Sequence, residues 1–217
     1  MKPPLDPKSK EARRITRRRF MRMALYGIPA FVVTDAALVE PNWIKLRKLR
    51  LTDDKPSHRI VHFTDLHHKG DRKFLQSAVN LINAQSPDFV CFTGDIIEDT
   101  KFLPEALELF QQIKSPLYGI PGNHDYWAHA DFTVIAGAFA KTGGRWLMDE
   151  SVSAAGDKIN IAGATCSKPP SLALGATQKN IVLIHYPEWV DKLGGYKFDL
   201  ALAGHSHGGQ VRLPFYG

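Results

Sequence analysis

The stretch Gly119-Ile120-Pro121-Gly122-Asn123-His124-Asp125 decides how the chain is read. Apolar and turn-forming residues lead into Asn123 and His124, two side chains able to bind a metal or to move a proton. The pattern describes a strand that ends in a tight glycine turn and presents polar groups at its carboxyl end. A single Gly-Asn-His-Asp occurs by chance in many turns. Its weight depends on how often the chain repeats the construction.

The construction recurs on both sides. Upstream, Phe89-Val90-Cys91-Phe92-Thr93 ends in Gly94-Asp95, where glycine lets backbone approach closely and a carboxylate can bridge two cations. Earlier still, Ile60-Val61-His62-Phe63-Thr64 ends in Asp65-Leu66-His67. Residues two apart on extended backbone point the same way, so Asp65 and His67 can converge on one ion. Downstream, Ile181-Val182-Leu183-Ile184 ends in His185, and Leu200-Ala201-Leu202-Ala203 ends in Gly204-His205-Ser206-His207, a second pair two apart. Ile159-Asn160-Ile161-Ala162-Gly163 reads as a strand without a ligand.

Helical patterns lie between these strands. Phe74, Leu75, Ala78, Val79, Leu81 and Ile82 share one face and read as core. Pro104 opens a second helix carrying Leu103, Ala106, Leu107, Phe110 and Ile113, and 130–141 forms a third. Continuous apolar strands alternating with helices predict an α/β fold with a buried, largely parallel sheet. In such sheets ligands collect beyond the carboxyl ends of the strands. Taken singly, a Gly-Asp is a turn and a strand-end histidine is a satisfied surface or core residue; five strand ends carrying Asp, Asn and His make a site. His58, His62, His68 and His129 lack this placement and read as ordinary histidines.

The composition, 44% hydrophobic and 23% charged over 217 residues, supplies one sizeable core. The net charge of +6 suggests a nucleic-acid partner until it is located. Residues 1–22 hold nine Lys and Arg against Asp6 and Glu11, a net of +7, so the remaining 195 residues carry −1. No aromatic-and-basic surface pattern favours nucleic acid. Cys91 and Cys166 sit among apolar or small residues and read as buried thiols, not as a disulfide.

Thr16-Arg17-Arg18-Arg19-Phe20-Met21 resembles the twin-arginine export signal. The moderately apolar run from Met23 to Val39 follows, interrupted by Pro29 and Asp35. It is short for a bilayer core of about 20 apolar residues and reads as a signal region or an uncleaved amino-terminal anchor, with a disordered basic tail as the competing reading. Residues 1–40 are thus expected to form a leader and 41–217 the globular domain. From Glu40 to Pro56, Trp43, Leu46, Leu49 and Leu51 interleave with Lys45, Arg47, Lys48 and Arg50, which predicts an exposed edge strand.

Together, Asp65-x-His67, Gly94-Asp95, Gly122-Asn123-His124-Asp125, His185 and Gly204-His205-x-His207 resemble the motif set of the calcineurin-like metallophosphoesterases over roughly Arg59 to Leu213. With its leader, the chain is similar to the exported or membrane-associated branch, close to membrane-bound enzymes that hydrolyse UDP-diacylglucosamine in lipid A synthesis. The resemblance implies two mixed sheets packed as a sandwich flanked by helices. It implies one divalent ion on Asp65, His67, Asp95 and His207, and another on Asp95, Asn123, His185 and His205. Mn, Fe and Zn all suit such donors. A metal-bridging hydroxide would attack in line. His124, a histidine that binds no metal in the family, would act on the substrate and protonate the leaving oxygen, oriented by Glu98 or Asp99; Asp125 is left with a structural role.

Two departures stand out. Lys69 replaces the glycine of Asp-x-His-x-Gly, with Gly70 following, so that loop is expected to differ. The chain also ends at Gly217, soon after the last ligand pair, which implies a carboxyl-terminal truncation. The resulting expectation is a phosphoesterase acting on a phosphodiester, phosphomonoester or pyrophosphate, with lipid-linked esters among the candidates, exported by the twin-arginine machinery or anchored at the outer side of the cytoplasmic membrane. Alternatives are a UDP-diacylglucosamine pyrophosphohydrolase, an anchor facing the cytoplasm, and a non-catalytic scaffold of the same fold.

Overall fold

The computed structural model describes residues 16–34, 44–167 and 172–207, in two units spanning 1–48 and 49–217. In the first unit, helix α1 (Arg17–Thr34) contains Pro29 and exposes Phe20, Met21, Met23, Leu25, Tyr26 and Ile28. No helix among the described residues is long and apolar enough to cross a membrane. Positions 35–39 of the Met23–Val39 run lie outside the described residues.

The second unit is built on two four-stranded sheets. The first holds β1 (Ile60–Phe63), β2 (Phe89–Phe92), β3 (Leu117–Gly119) and β4 (Arg145–Trp146), in that order and parallel throughout. The second holds β5 (Glu150–Ala154), β6 (Ile159–Gly163), β7 (Lys179–Ile184) and β8 (Leu200–Ala203). It is mixed, because β5 pairs antiparallel with β6 while β6, β7 and β8 run parallel.

The two-residue period of a strand explains the layering. On β2, Val90 and Phe92 face helices α2 (Arg72–Ala84), α3 (Leu103–Phe110) and α5 (Phe132–Lys141), where Leu75, Val79, Leu107, Phe110 and Phe139 complete a core. The alternate residues Phe89 and Cys91 meet Ile159, Ile161, Ile181 and Leu183 of the second sheet in another. Val182 and Ile184 point outward from β7 onto a third cluster with Leu193. Both faces of the central strands are therefore covered, which is why their sequences read as unbroken apolar runs.

Among the described residues, the edge strand expected over Glu40–Pro56 does not form. Positions 40–43 lie outside the described residues, and from Ile44 to Pro56 the chain carries no strand, with Leu49 and Leu51 exposed. Basic residues between the leucines leave no continuous apolar face to bury, and among the described residues β1 pairs only with β2. The Gly122 stretch also differs from a plain turn: Asn123 begins a five-residue helix, α4 (Asn123–Trp127).

Candidate metal centre

The carboxyl ends of β1, β2 and β3 in one sheet, and of β7 and β8 in the other, bring all seven expected ligands together. Six of them, with His124, place donor atoms in overlapping groups: Asp65, His67 and His207; His67, Asp95 and His124; and Asp95, His185 and His205, each within 4.8 Å. Asp95 belongs to two of them, at their centre, and is 1% exposed. Its Oδ2 lies 3.4 Å from Nε2 of both His67 and His185. Asn123 Oδ1 is 2.8 Å from His185 Nε2 and 3.0 Å from His205 Nδ1. His67 Nε2 faces His207 Nε2 at 3.1 Å, with the rings stacked. Asp65 Oδ1 accepts the His205 N–H at 2.9 Å, while its buried Oδ2 has no hydrogen-bond partner.

A buried carboxylate oxygen without a partner, beside imidazole nitrogens aimed at one another, is unfavourable unless a cation stands among them. The mixture of carboxylate, amide and imidazole donors fits divalent Mn, Fe or Zn. Electrostatics follow from Asp95. Burial opposes its charge, but the hydrogen bond and charge of His185, the His124 N–H and His67 outweigh it and hold the carboxyl below its usual range. Burial likewise opposes a charged His185, yet Asp95 beside it and the Thr93 carbonyl, 2.7 Å from Nδ1, raise it. For His67 burial prevails over Asp95 and Glu98 and lowers the imidazole.

The backbone explains how strand ends aim these groups. Asp65, His67, Asp95, His205 and His207 all have positive φ, between 44° and 64°. Left-handed backbone is strained for most side chains, least so for Asp, Asn and His. Such conformations persist where surrounding structure fixes them, typically at functional sites. Close packing of the strand ends supplies that support. A Cβ on Gly94 (φ +100°) would meet Gly122 N at 2.4 Å and His185 Nδ1 at 2.8 Å, and one on Gly122 would meet Asp95 Oδ1 at 2.1 Å.

The structure distinguishes Glu98 from Asp99. Glu98 Oε2 lies 3.1 Å from His124 Nδ1, and Oε1 lies 2.9 Å from His67 Nδ1, near enough for charge attraction though off hydrogen-bond geometry. Asp99 instead caps the 3-10 turn Thr100–Phe102, accepting the Lys101 N–H at 2.9 Å. With Nδ1 committed to Glu98, His124 presents Nε2, although it also stands within ligand reach of His67 and Asp95.

Asp125 has no exposure and accepts three backbone N–H groups, from Gly122 (2.9 Å), Asp95 (2.9 Å) and Ile96 (2.8 Å). It ties the Gly94-Asp95 and Gly122-Asn123 turns together, a role no side-chain motif discloses. Beyond β6, the strand without a ligand, Thr165 binds Asp149 at 2.9 Å. Near Lys69, Gly70 takes φ +97° and both Asp65 and His67 keep their places.

The other histidines are accounted for elsewhere: His68 Nε2 is 2.7 Å from Glu105, His62 Nε2 is 2.8 Å from Thr93 Oγ1, and His58 Nδ1 is 2.9 Å from Ser57 Oγ. His129 is exposed. Both cysteines are free. A concavity of about 550 Å³ lined by Lys179, Asn180, Tyr196 and Asp199 opens at the amino ends of β7 and β8, the opposite end of the strands from the centre, and includes none of these groups.

Comparison with known proteins agrees with the geometry. Residues 58–209 match the model of a family described as Calcineurin-like phosphoesterase. A phosphodiesterase of Escherichia coli (strain K12), YaeI, is 26% identical over 94% of this chain and 82% of its own length. A UDP-2,3-diacylglucosamine pyrophosphatase of Chlamydia trachomatis, LpxG, is 27% identical over 82% of this chain and 73% of its own. The crystal structure of TT1561 of Thermus thermophilus superposes with a TM-score of 0.52 at 13% identity, covering 67% of this chain and 80% of that one. That likeness shows the shared fold.

Proposed function

Because the chain belongs to the calcineurin-like phosphoesterase family and is a phosphoric ester hydrolase, we propose that it cleaves its ester at a dinuclear centre. In this reading one cation rests on Asp65, His67, Asp95 and His207, the other on Asp95, Asn123, His185 and His205, with Asp95 shared. The observation that carries it is the convergence of these donors, from both sheets, around buried Asp95. When bound, the cations supply Lewis acidity to the phosphoryl oxygens and acidify a water.

The chain supplies the rest. Asp125 holds the Asp95 and Asn123 turns in register through three N–H groups. Glu98 fixes the His124 ring through Nδ1, so the proton on Nε2 is delivered to the oxygen that leaves phosphorus as the ester bond breaks. The test is metal content measured beside hydrolysis of an aryl phosphodiester and monoester. Asp95→Ala is expected to lose both metal and activity. His124→Ala is expected to keep its metal and lose roughly 10²- to 10⁴-fold in kcat. A wild-type protein that takes up no divalent metal and cleaves no ester overturns the reading, and full activity in His124→Ala removes that residue from it.

A second reading, pyrophosphate cleavage of a UDP-linked lipid, is supported by the likeness to LpxG and by the apolar side chains that α1 exposes. A UDP-lipid assayed beside the plain diester separates the two. Export is likewise a proposal, resting on Thr16-Arg17-Arg18-Arg19-Phe20-Met21. Replacing Arg17 and Arg18 by Lys is expected to keep the protein in the cytoplasmic fraction; unchanged fractionation removes the twin-arginine route.

A further inference from the structure

Trp127 closes α4, three residues after His124, so the two side chains share one helix face. Their ring centroids are 4.8 Å apart, tilted by 54°. The rest of the helix is tied down: Asn123 and Asp125 are buried, Tyr126 packs edge-on against Phe132 at 4.9 Å, and the Ala128 carbonyl accepts the Thr100 hydroxyl. Trp127 is 67% exposed. From β1 onward it is the most exposed large apolar side chain among the described residues, and the only aromatic one in that class. An indole has the largest apolar face of any side chain, and leaving it in water beside a reactive imidazole forgoes burial worth having.

Its position assigns a use. On the reading that His124 Nε2 delivers a proton to the leaving oxygen, whatever is bonded to that oxygen must lie alongside the His124 ring, and the indole is the nearest broad surface there. We propose that Trp127 is a substrate-contact residue that selects esters whose leaving group carries a flat ring near the ester oxygen. An aryl group, a nucleobase or the apolar face of a sugar shares this chemistry. This inference rests on the phosphoesterase reading and deepens it. It concerns the leaving-group side alone, because Trp127 meets His124 and no other residue of the centre through a ring contact.

The experiment uses the metal-loaded full chain. Two esters matched in leaving-group acidity are compared, phenyl phosphate and the phosphate of a compact fluorinated alcohol. Trp127→Ala is expected to lower kcat/KM for the phenyl ester roughly tenfold or more, as stacking energies imply, with a loss at least five times smaller for the compact ester. Trp127→Phe recovers most of the difference. Binding is read separately by tryptophan fluorescence with phenylphosphonate, uridine monophosphate and glucose 1-phosphate as probes. Quenching in the wild type that Trp127→Ala abolishes supports the contact, and the probe that quenches most identifies the ring. Equal losses on both esters overturn the proposal in favour of a role in positioning His124. No loss and no quenching overturn it outright. A wild type that quenches with phenylphosphonate but hydrolyses neither of these esters nor the aryl phosphodiester keeps the contact and removes the phosphoesterase reading instead.

Discussion

At the scale of single residues, Glu98 is an exposed member of the centre and the easiest to test. One carboxylate faces both the His124 and His67 imidazoles, so Glu98→Gln is expected to lower kcat at least tenfold while leaving thermal stability within about 1 kcal/mol. Asp99→Asn, which touches only a turn, should leave kcat near wild type; the reverse pattern would transfer the orienting role to Asp99. The thiols give a pH prediction. Burial, then the charges of Asp95 and Asp125, push Cys166 up to about 12, and burial raises Cys91 as well. The folded state therefore favours neutral thiols, a contribution fully present below the ordinary thiol range and lost as pH climbs through the raised values. Native protein at pH 8 should react slowly with a disulfide reagent at both cysteines and rapidly in urea; fast native labelling at Cys166 would contradict the assignment. The convergence of the seven expected ligands with His124 was legible because metal chemistry restricts residue type and strand ends restrict position. Asp125 was not, since its three partners are backbone N–H groups, which leave no mark on neighbouring side-chain identity.

At the scale of elements, the strands with continuous apolar runs, β1, β2, β6, β7 and β8, could be read within a residue or two of their bounds, and β3 only as the strand leading into the Gly122 turn. Strand β4 has two residues, and β5 reads Glu-Ser-Val-Ser-Ala, too polar to announce itself; pairing with β6 across a turn with positive φ at Ala155, Gly156 and Asp157 holds it in place. Helix α4 escaped because five residues around a Gly-Asn pair look like a turn. Two glycines separate packing from propensity. Gly122→Ala would place a Cβ against Asp95 backbone and carboxylate, so a loss of about 2–4 kcal/mol together with reduced metal content is expected. Gly137→Ala sits within α5 with nothing near its Cβ, and should stabilise by about 0.5–1 kcal/mol. Chemical denaturation checks both, and a benign Gly122→Ala would refute the close approach of the two turns.

At the scale of the molecule, alternation of strand and helix pointed to one parallel sheet, and only the family resemblance implied two. Short strands with both faces buried carry no record of which neighbour each face meets, so partition into two sheets lies beyond periodicity. That partition has a kinetic meaning. The Asp65–His205 contact spans 140 positions of the chain, and the proposed ligand set is complete only once both sheets have docked. Contacts so distant in sequence form late, after the entropy of closing long loops has been met. A cation binding at them should leave the refolding rate nearly independent of metal concentration and slow unfolding in proportion to occupancy. Stopped-flow chevrons with and without metal read this directly: a shifted unfolding limb over a common refolding limb is expected, whereas metal-accelerated refolding would mean that the sheets meet early. The centre would then act as a latch on a finished sandwich, governing how long the fold lasts and not how fast it arrives.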